Sequence, residues 1–480
     1  MPACNYAGVP AMTSSFDTPT PPTATARRIG DWVAGLRRSD VPDAVAAVAL
    51  DCIVDTLGVA LAGCGEASAR LAADEALASY AAGPSPLLAG GRLCAEGATF
   101  ANVAAAHALD FDDNSYAGFV HGSAVVVPTA LAMVDEVGGT GRDLLTAVVA
   151  GAEAQYALAE AVGNGVYHDG WWTTALFGTV GAAAASAKAL GLDGRTAADA
   201  IAFALCGTGG LRACFGTGAK PLLAAQAAAN GVRAARLAAR GLTVPHGVVE
   251  DPRGFATLMA AGRFDPAALD GLGRHWRLLD PGIDTKLYPV CLSAHAAIDA
   301  MRDLMAEHGL KPQDIRTVHC RVPPVVAANL TYQYPATAGE ARFSLPFAVA
   351  CAMLYGTLGL EHLGDATLTD PDLRHAIGCV SMAADPDWNA DPDRARTAPE
   401  GAEVSVETQA GERHTRFCAS ARGTVARPLS ATERAAKFHT CAARAVGAET
   451  AERLHRKLYR LEAEGSLSRL FDPAHHGSCS

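Results

Sequence analysis

The residues best suited to chemistry lie close together between positions 107 and 121. Two histidines, His107 and His121, and three carboxylates, Asp110, Asp112 and Asp113, occur within fifteen residues of sequence otherwise dominated by Ala, Val and Leu. Charged groups are unfavourable in apolar surroundings unless they have partners or a function, so this density predicts a site. A histidine beside carboxylates suits proton transfer. The alternative is that Asp112 and Asp113 cap one helix and His121 caps the next, and charge density alone does not choose between these readings.

Two lysines from other parts of the chain are candidates for holding an anion. Lys220 lies in Gly-Ala-Lys-Pro-Leu-Leu, and Lys286 lies in Thr-Lys-Leu-Tyr-Pro-Val-Cys. In such small or apolar surroundings an ammonium group can bind a substrate carboxylate as a point charge. Judged singly, each is more often a solvated loop lysine. His295, at the start of an apolar helical run, is likewise more often a helix-terminal or core histidine than a catalyst.

Composition and missing motifs exclude several classes of protein. The 480 residues are 50% hydrophobic and 19% charged, which suits a globular chain with a large core. A net charge of −11 and the lack of a basic tract argue against nucleic acid or an anionic membrane as the main partner. The chain has no G-x-S-x-G, Walker A, H-E-x-x-H or C-x-x-C motif. We interpret its thirteen scattered cysteines as reduced thiols of a cytoplasmic protein.

The elements that must position these residues are mainly helical. Apolar helical runs with Gly-rich breaks follow one another up to about residue 270, and none is a credible membrane span because charged residues interrupt them. Period-two patterns then predict a strand at 315–322 and a β-hairpin at 403–418. The sequence therefore predicts a mainly α fold with the following parts: a disordered leader at 1–26, a helical domain at 27–274, a smaller α+β lid domain at 275–425, and a helical return to the first domain at 426–480.

Taken in order, these stretches resemble the MmgE/PrpD family, whose members dehydrate, decarboxylate or epimerise carboxylic acids. Single matches are weak, but the ordered set is specific and runs from about residue 27 to 460. The matching segments are Asp55 to Gly63, His107 to Asp113, His121 with Ala124 to Pro128, Gly178 to Asp193, Lys220 to Leu222, Lys286 to His295, and Glu340 to Pro346.

The resemblance implies a large helical domain built from both chain ends, a smaller α+β lid, and a site in the cleft between them. It also implies a homodimer that binds a small carboxylic acid and uses neither a cofactor nor a metal. Asp110 and His121 match the family's catalytic positions, and Lys220 and Lys286 match positions that bind substrate. We therefore demote Asp112 and Asp113 to supporting roles.

Other site positions implied by the resemblance differ from the usual family residues. Asn114 falls where a Thr is usual, Cys291 falls where some members have His, and His295 completes the predicted substrate-binding set. Trp172 stands where the family usually has a histidine, and an indole donates one hydrogen bond but transfers no proton at neutral pH. His168, four residues earlier, is a candidate to compensate. We expect a site reshaped toward a bulkier or less charged substrate.

The resemblance leads to a cofactor-independent lyase, with dehydration of a hydroxy polycarboxylic acid as the first hypothesis. His121 would transfer the proton, Asp110 would orient or accept, and the two lysines would stabilise charge on the substrate carboxylates. Decarboxylation or epimerisation of a related acid could use the same groups. A non-catalytic acid-binding protein, with Trp172 marking lost chemistry, is the alternative from a different class.

Overall fold

The computed structural model describes residues 24–468, 470 and 471. The predicted disordered leader lies outside these residues except for its last three positions, and of these Thr25 and Ala26 already belong to the first helix. The first part of the chain folds into α1 (Thr25–Gly35), α2 (Asp43–Gly63), α3 (Ala67–Ser79), β1 (Ser85–Pro86), β2 (Arg92–Leu93), α4 (Ala95–Ala108), α5 (Gly122–Glu136), α6 (Gly141–Val162), α7 (Gly165–His168), α8 (Thr173–Ala189), α9 (Gly194–Cys206), α10 (Ala219–Ala239) and α11 (Phe255–Ala260).

The remaining elements mix helices and strands before the chain becomes helical again. They are α12 (His295–His308), β3 (Ile315–Val322), α13 (Pro324–Asn329), α14 (Ala338–Ala341), α15 (Leu345–Tyr355), α16 (Asp365–Leu368), α17 (Pro371–Gly378), β4 (Val380–Ala384), α18 (Pro392–Thr397), β5 (Ala402–Thr408), β6 (Arg413–Cys418), α19 (Ala431–Val446) and α20 (Ala448–Leu458). The fold is mainly α, as predicted.

One apolar core, here called the helical core, joins the two ends of the chain. Its residues come from positions 26–278 and again from 438–471. Helices in it approach closely because their facing residues are small: a Cβ on Gly151 of α6 would lie 2.7 Å from the carbonyl oxygen of Gly181 in α8. The abundance of Ala and Gly in the sequence therefore serves helix packing at short range.

Helix α2 is long and apolar enough to cross a membrane by length and composition. Most of it is buried inside the protein, where Ile53 and Leu57 are fully inaccessible parts of the helical core. Its Asp55 carboxylate forms an ion pair of 2.8 Å with Lys437 of α19. Core packing accounts for the apolar character of this helix.

A second core, here called the sheet core, is formed by residues 288–421 around a four-stranded sheet. The strand order is β4-β3-β5-β6, with β3 and β4 parallel and the other pairs antiparallel. The predicted strand at 315–322 and the predicted hairpin of β5 and β6 are confirmed. Strand β4 was not predicted, because Val-Ser-Met-Ala-Ala has no clear alternation and only its first residue is buried.

Candidate active site

Asp110 lies at the centre of a buried ion cluster. It follows the end of α4 and has φ of +50°, a left-handed conformation that is uncommon outside glycine and costs about 1 kcal/mol or more. This turn aims its carboxylate at two cations. Lys220 pairs with Oδ1, and Lys286 donates to Oδ2 at 2.9 Å and to the Asp110 backbone oxygen at 2.6 Å. Burial by itself would raise the pKa of Asp110, but the two lysines outweigh it and hold that pKa well below the ordinary value.

His121 is positioned by the backbone at the start of α5. It is the residue before the first turn, but its side chain does not cap the helix. The backbone N–H donates to Thr174 Oγ1 at 3.0 Å, and Nδ1 lies 2.8 Å from the carbonyl oxygen of Asp113. A carbonyl only accepts, so Nδ1 carries the proton and Nε2 is the ring nitrogen left for the pocket. Gly122 allows this placement, because a Cβ there would lie 2.2 Å from the Tyr156 hydroxyl.

Asp112 links two imidazoles. Its Oδ2 lies 2.7 Å from Nδ1 of His107 and 3.3 Å from Nδ1 of His121. Burial lowers the pKa of His121 to about 4 and also lowers the pKa of His107, so both rings are neutral at pH 7. Burial of Asp112 is opposed by the two histidines, which hold its pKa well below the ordinary value. His121 is therefore a neutral base whose orientation is set by carboxylate and carbonyl acceptors.

Asp113 has a mixed role that agrees in part with the capping alternative. Its Oδ1 accepts from the backbone N–H of Ser123, in the first turn of α5, at 3.4 Å. Its other oxygen, Oδ2, is buried without a hydrogen-bond partner. Burial raises the pKa of Asp113 to about 7. Asp113 thus supports the start of α5, whereas Asp112 contacts the histidines.

The same histidine cluster has a geometry that could surround a metal ion. Ligand atoms of His107, Asp112 and His121 lie within 4.8 Å of one another. The Nδ1 atoms of both histidines already face hydrogen-bond acceptors, Asp112 for His107 and the Asp113 carbonyl oxygen for His121. A metal ion bound through these atoms would have to replace these hydrogen bonds, so Nδ1 fits mutual orientation of the two imidazoles better than metal coordination.

A small pocket brings together most of the predicted site residues. His121, Asn114, Trp172, Lys220 and Cys291 all line it. Trp172 is buried, and its ring stacks on His107 with 5.3 Å between centroids and an angle of 24°. The indole therefore fills space beside the histidine cluster. Lys220 Nζ also lies 5.1 Å from the ring centroid of Phe215 and 5.2 Å from that of Phe343.

Four predicted or candidate residues lie outside the pocket lining, and the first is Asp110, which reaches the pocket only through its ion pair with Lys220. Lys286 is fully buried behind Asp110 and contacts its carboxylate and backbone oxygen. His295 is buried in the sheet part of the chain, where Nε2 lies 3.2 Å from the Val290 carbonyl oxygen and the ring packs edge-on against Tyr288. His168 is exposed, and its ring contacts Phe119 and Tyr167 and does not line the pocket, so it does not take the place of Trp172.

The pocket lining also contains polar residues that the sequence did not single out. Glu400, on the loop before β5, accepts from the Ser293 hydroxyl at 2.6 Å and from the Tyr116 hydroxyl at 3.0 Å. Ser293 in turn accepts from Asn329 Nδ2 at 3.0 Å. Burial raises the pKa of Glu400, although these hydroxyl donors oppose the shift. No local charge density marks Glu400 in the sequence, whereas His107 was visible in the 107–121 stretch.

The pocket is nearly closed in this conformation. Its cavity volume is about 40 Å³, which holds only a few water molecules. Pockets that bind small molecules are usually some hundreds of Å³. Contacts across the pocket include Tyr116 with Glu400 and Tyr167 with Asn329, the latter at 2.9 Å. A molecule the size of a hydroxy acid can enter only if these walls separate.

Comparison with protein families covers most of the chain. Residues 27–267 match the MmgE/PrpD N-terminal domain, and residues 288–460 match the MmgE/PrpD C-terminal domain.

Several proteins are similar to this chain over most of their length. The cis-aconitate decarboxylase of Homo sapiens is 30% identical over 377 residues, covering 76% of this chain and 76% of the relative. The cis-aconitate decarboxylase of Mus musculus is 27% identical over 381 residues, covering 76% of this chain and 75% of the relative. The cis-aconitate decarboxylase-like protein oryM of Aspergillus oryzae is 25% identical over 479 residues, covering 94% of this chain and 97% of the relative.

Proposed function

This chain belongs to the MmgE/PrpD family, and from that premise and the geometry of its pocket we propose that it is a cofactor-independent lyase acting on a carboxylic acid. The observation that carries the proposal is the protonation state of the His121 ring. Its Nδ1 donates to the Asp113 carbonyl oxygen, and its lowered pKa keeps Nε2 unprotonated beside Lys220 in one pocket. A neutral base next to a cation suits removal of a proton from the carbon adjoining a carboxylate.

We favour dehydration as the reaction. His121 Nε2 takes the α-proton, and the electrons of the C–H bond move into the adjoining carboxylate, where Lys220 stabilises the added charge. The electrons then return to form the carbon–carbon double bond, and the hydroxyl on the β-carbon leaves as water with a proton from His121. Asp110 takes the orienting role, because its carboxylate is bound by both lysines and its low pKa makes it a poor proton acceptor.

The charge balance of the site supports a substrate with few carboxylates. Lys220 and Lys286 are offset by Asp110 and Asp112, and the lowered pKa values of His107 and His121 keep both rings neutral. The pocket has no surplus of positive charge to attract a trianion. The bulk of Trp172 beside His107 points in the same direction.

Decarboxylation is the second candidate, because the similar human and mouse proteins are cis-aconitate decarboxylases. In that reaction the carbon–carboxylate bond breaks, its electrons remain as an enolate-like anion, and a protonated His121 supplies the proton. An anionic substrate would favour that imidazolium. Epimerisation would use the α-proton step alone and return the proton to the other face.

The test is product analysis in D₂O. The protein is incubated with 2-methylcitrate, citrate, cis-aconitate and a set of shorter hydroxy acids, and NMR follows loss of water, release of CO₂ and entry of deuterium. We expect one acid to be converted, and we expect His121→Asn to reduce the rate at least a hundredfold while circular dichroism stays unchanged. His168→Asn is the matched control, because this histidine is exposed and outside the pocket.

The outcomes separate the proposals. Loss of water would support the dehydratase proposal, whereas release of CO₂ would support the decarboxylase proposal in its place. Binding without deuterium entry or conversion would support the non-catalytic binder, and an unaffected His121→Asn rate would remove His121 from the mechanism. The homodimer and the cytoplasmic location stay predictions.

A further inference from the structure

We propose that Glu400 determines specificity in its part of the pocket, by accepting a hydrogen bond from a hydroxyl, amide or ammonium group of the substrate and disfavouring a carboxylate there. The inference rests on the proposed function, since it names the class of acid that the site takes. Glu400 lines the same pocket as His121 and Lys220 and is partly buried.

The hydrogen-bond polarity around Glu400 makes it an acceptor. Asn329 Nδ2 donates to Ser293 Oγ, so the Ser293 proton is directed to Glu400 Oε1. Asn329 is itself oriented, because its Oδ1 accepts from the Tyr167 hydroxyl at 2.9 Å and from Arg212 at 2.7 Å. The Tyr116 hydroxyl donates to Oε2. Each carboxylate oxygen thus receives one protein donor and keeps a lone pair for a donor on the ligand.

Glu400 also lacks a cation of its own. Among the residues that the structure describes, no Lys, Arg or His nitrogen lies within 4.0 Å of a Glu400 carboxylate oxygen, the distance that defines an ion pair. Lys220 and Lys286 are both bound to Asp110. A substrate carboxylate placed beside Glu400 would therefore meet a like charge that only the more distant Lys286 offsets, in a nearly closed pocket where water screens poorly.

Lys220 and Glu400 consequently give the pocket two different kinds of polar group. Lys220 suits a carboxylate, and Glu400 suits a neutral or cationic hydrogen-bond donor. An acid that also has a hydroxyl, amide or ammonium group satisfies both residues. A di- or tricarboxylic acid leaves one carboxylate facing Glu400.

Calorimetry with matched probes tests this inference without requiring turnover. The dicarboxylates succinate, glutarate and adipate are each compared with their monoamides, which replace one charged carboxylate with an amide of similar shape. We expect the wild-type protein to bind the best-fitting monoamide about tenfold more tightly than the matching dicarboxylate. Glu400→Gln should remove or reverse this preference, because the amide side chain is uncharged and can donate to a carboxylate.

Ser293→Ala is the matched control, since it removes one hydroxyl partner of Glu400 and leaves the charge in place; it should keep the preference for the monoamide. The proposal is overturned if wild type binds a dicarboxylate as tightly as its monoamide, if Glu400→Gln leaves the ratio unchanged, or if neither probe of any pair binds at 10 mM. The wild-type ratio decides even if a variant fails to fold. Calorimetry measures binding and not turnover. If the D₂O experiment contradicts the lyase proposal, the measured preference for monoamide over dicarboxylate still stands.

Discussion

Removing the charge of Asp110 tests how the two buried lysines are held. In Asp110→Asn both ammonium groups lose the carboxylate that they share, although Lys286 keeps its bond to the residue-110 carbonyl oxygen. Lys220 and Asp110 are 4% and 3% exposed and Lys286 is 0% exposed, so solvent cannot replace the lost partner. Breaking one member out of a buried ion cluster costs about 3–5 kcal/mol. That is a large fraction of a typical folding free energy of about 5–15 kcal/mol.

The assay is chemical denaturation at pH 7, with and without acetate, at constant ionic strength set with chloride. Because the asparagine still fills the place of the carboxylate, acetate should bind Lys220 from the pocket, and at ten times its Kd it would return about 1.4 kcal/mol. Glu66→Gln is the control, since it breaks the partly exposed pair with Arg342 and should cost less than about 1 kcal/mol. A destabilisation within 0.5 kcal/mol of zero would refute the reasoning about burial, and loss of stability without rescue specific to acetate would refute the anion site.

Two further variants probe the neighbouring groups. The pKa of Asp113 rises from 3.8 to about 7 in the folded protein, so between these values the folded state keeps a proton that the unfolded state has lost, and wild-type stability falls as pH rises. Asp113→Asn should weaken this dependence but leave the part contributed by Glu153 and Asp284, whose pKa values are also raised to about 7, and it should be more stable than wild type at pH 8, by at most about 4 kcal/mol, in denaturation curves at pH 5 and pH 8; equal pH profiles would contradict the raised pKa. Trp172→His should raise turnover of 2-methylcitrate or cis-aconitate at least tenfold in a product assay, whereas Trp172→Phe, which keeps an aromatic ring beside His107, should not. Equal effects of the two substitutions would show that ring size alone limits these acids.

The sequence identified ionisable residues that the structure brings together, but it did not show how they pair. Asp110, His121, Lys220 and Lys286 were identified by their order along the chain, and the structure brings Asp110 to both lysines. The sequence could not show that the two lysines have different positions. Lys220 lines the pocket, whereas Lys286 is fully buried against Asp110 and does not line it. That arrangement depends on the left-handed turn at Asp110, which no pattern in the sequence requires.

Long-range contacts explain the other differences. Glu400 accepts hydrogen bonds from the hydroxyl groups of Tyr116 and Ser293, which lie more than a hundred residues away in the chain. The residues next to Glu400 in the sequence therefore give no sign that it belongs to the pocket. Pro128 is a residue favoured in the first turn of a helix, but helix α5 begins at Gly122 and contains the proline. Packing of Gly122 against Tyr156 in α6 overrides that local preference.

The protonation state of His121 tests the account most directly. Histidine-specific ¹⁵N labelling gives both ring nitrogens a signal, and the spectrum of His121→Asn assigns the one that belongs to His121. We predict a neutral ring at pH 7 with the proton on Nδ1, which protonates at Nε2 only when the pH falls to about 4. A proton on Nε2 at pH 7, or a pKa at or above the ordinary 6.5, would contradict the assignment of His121 as the base.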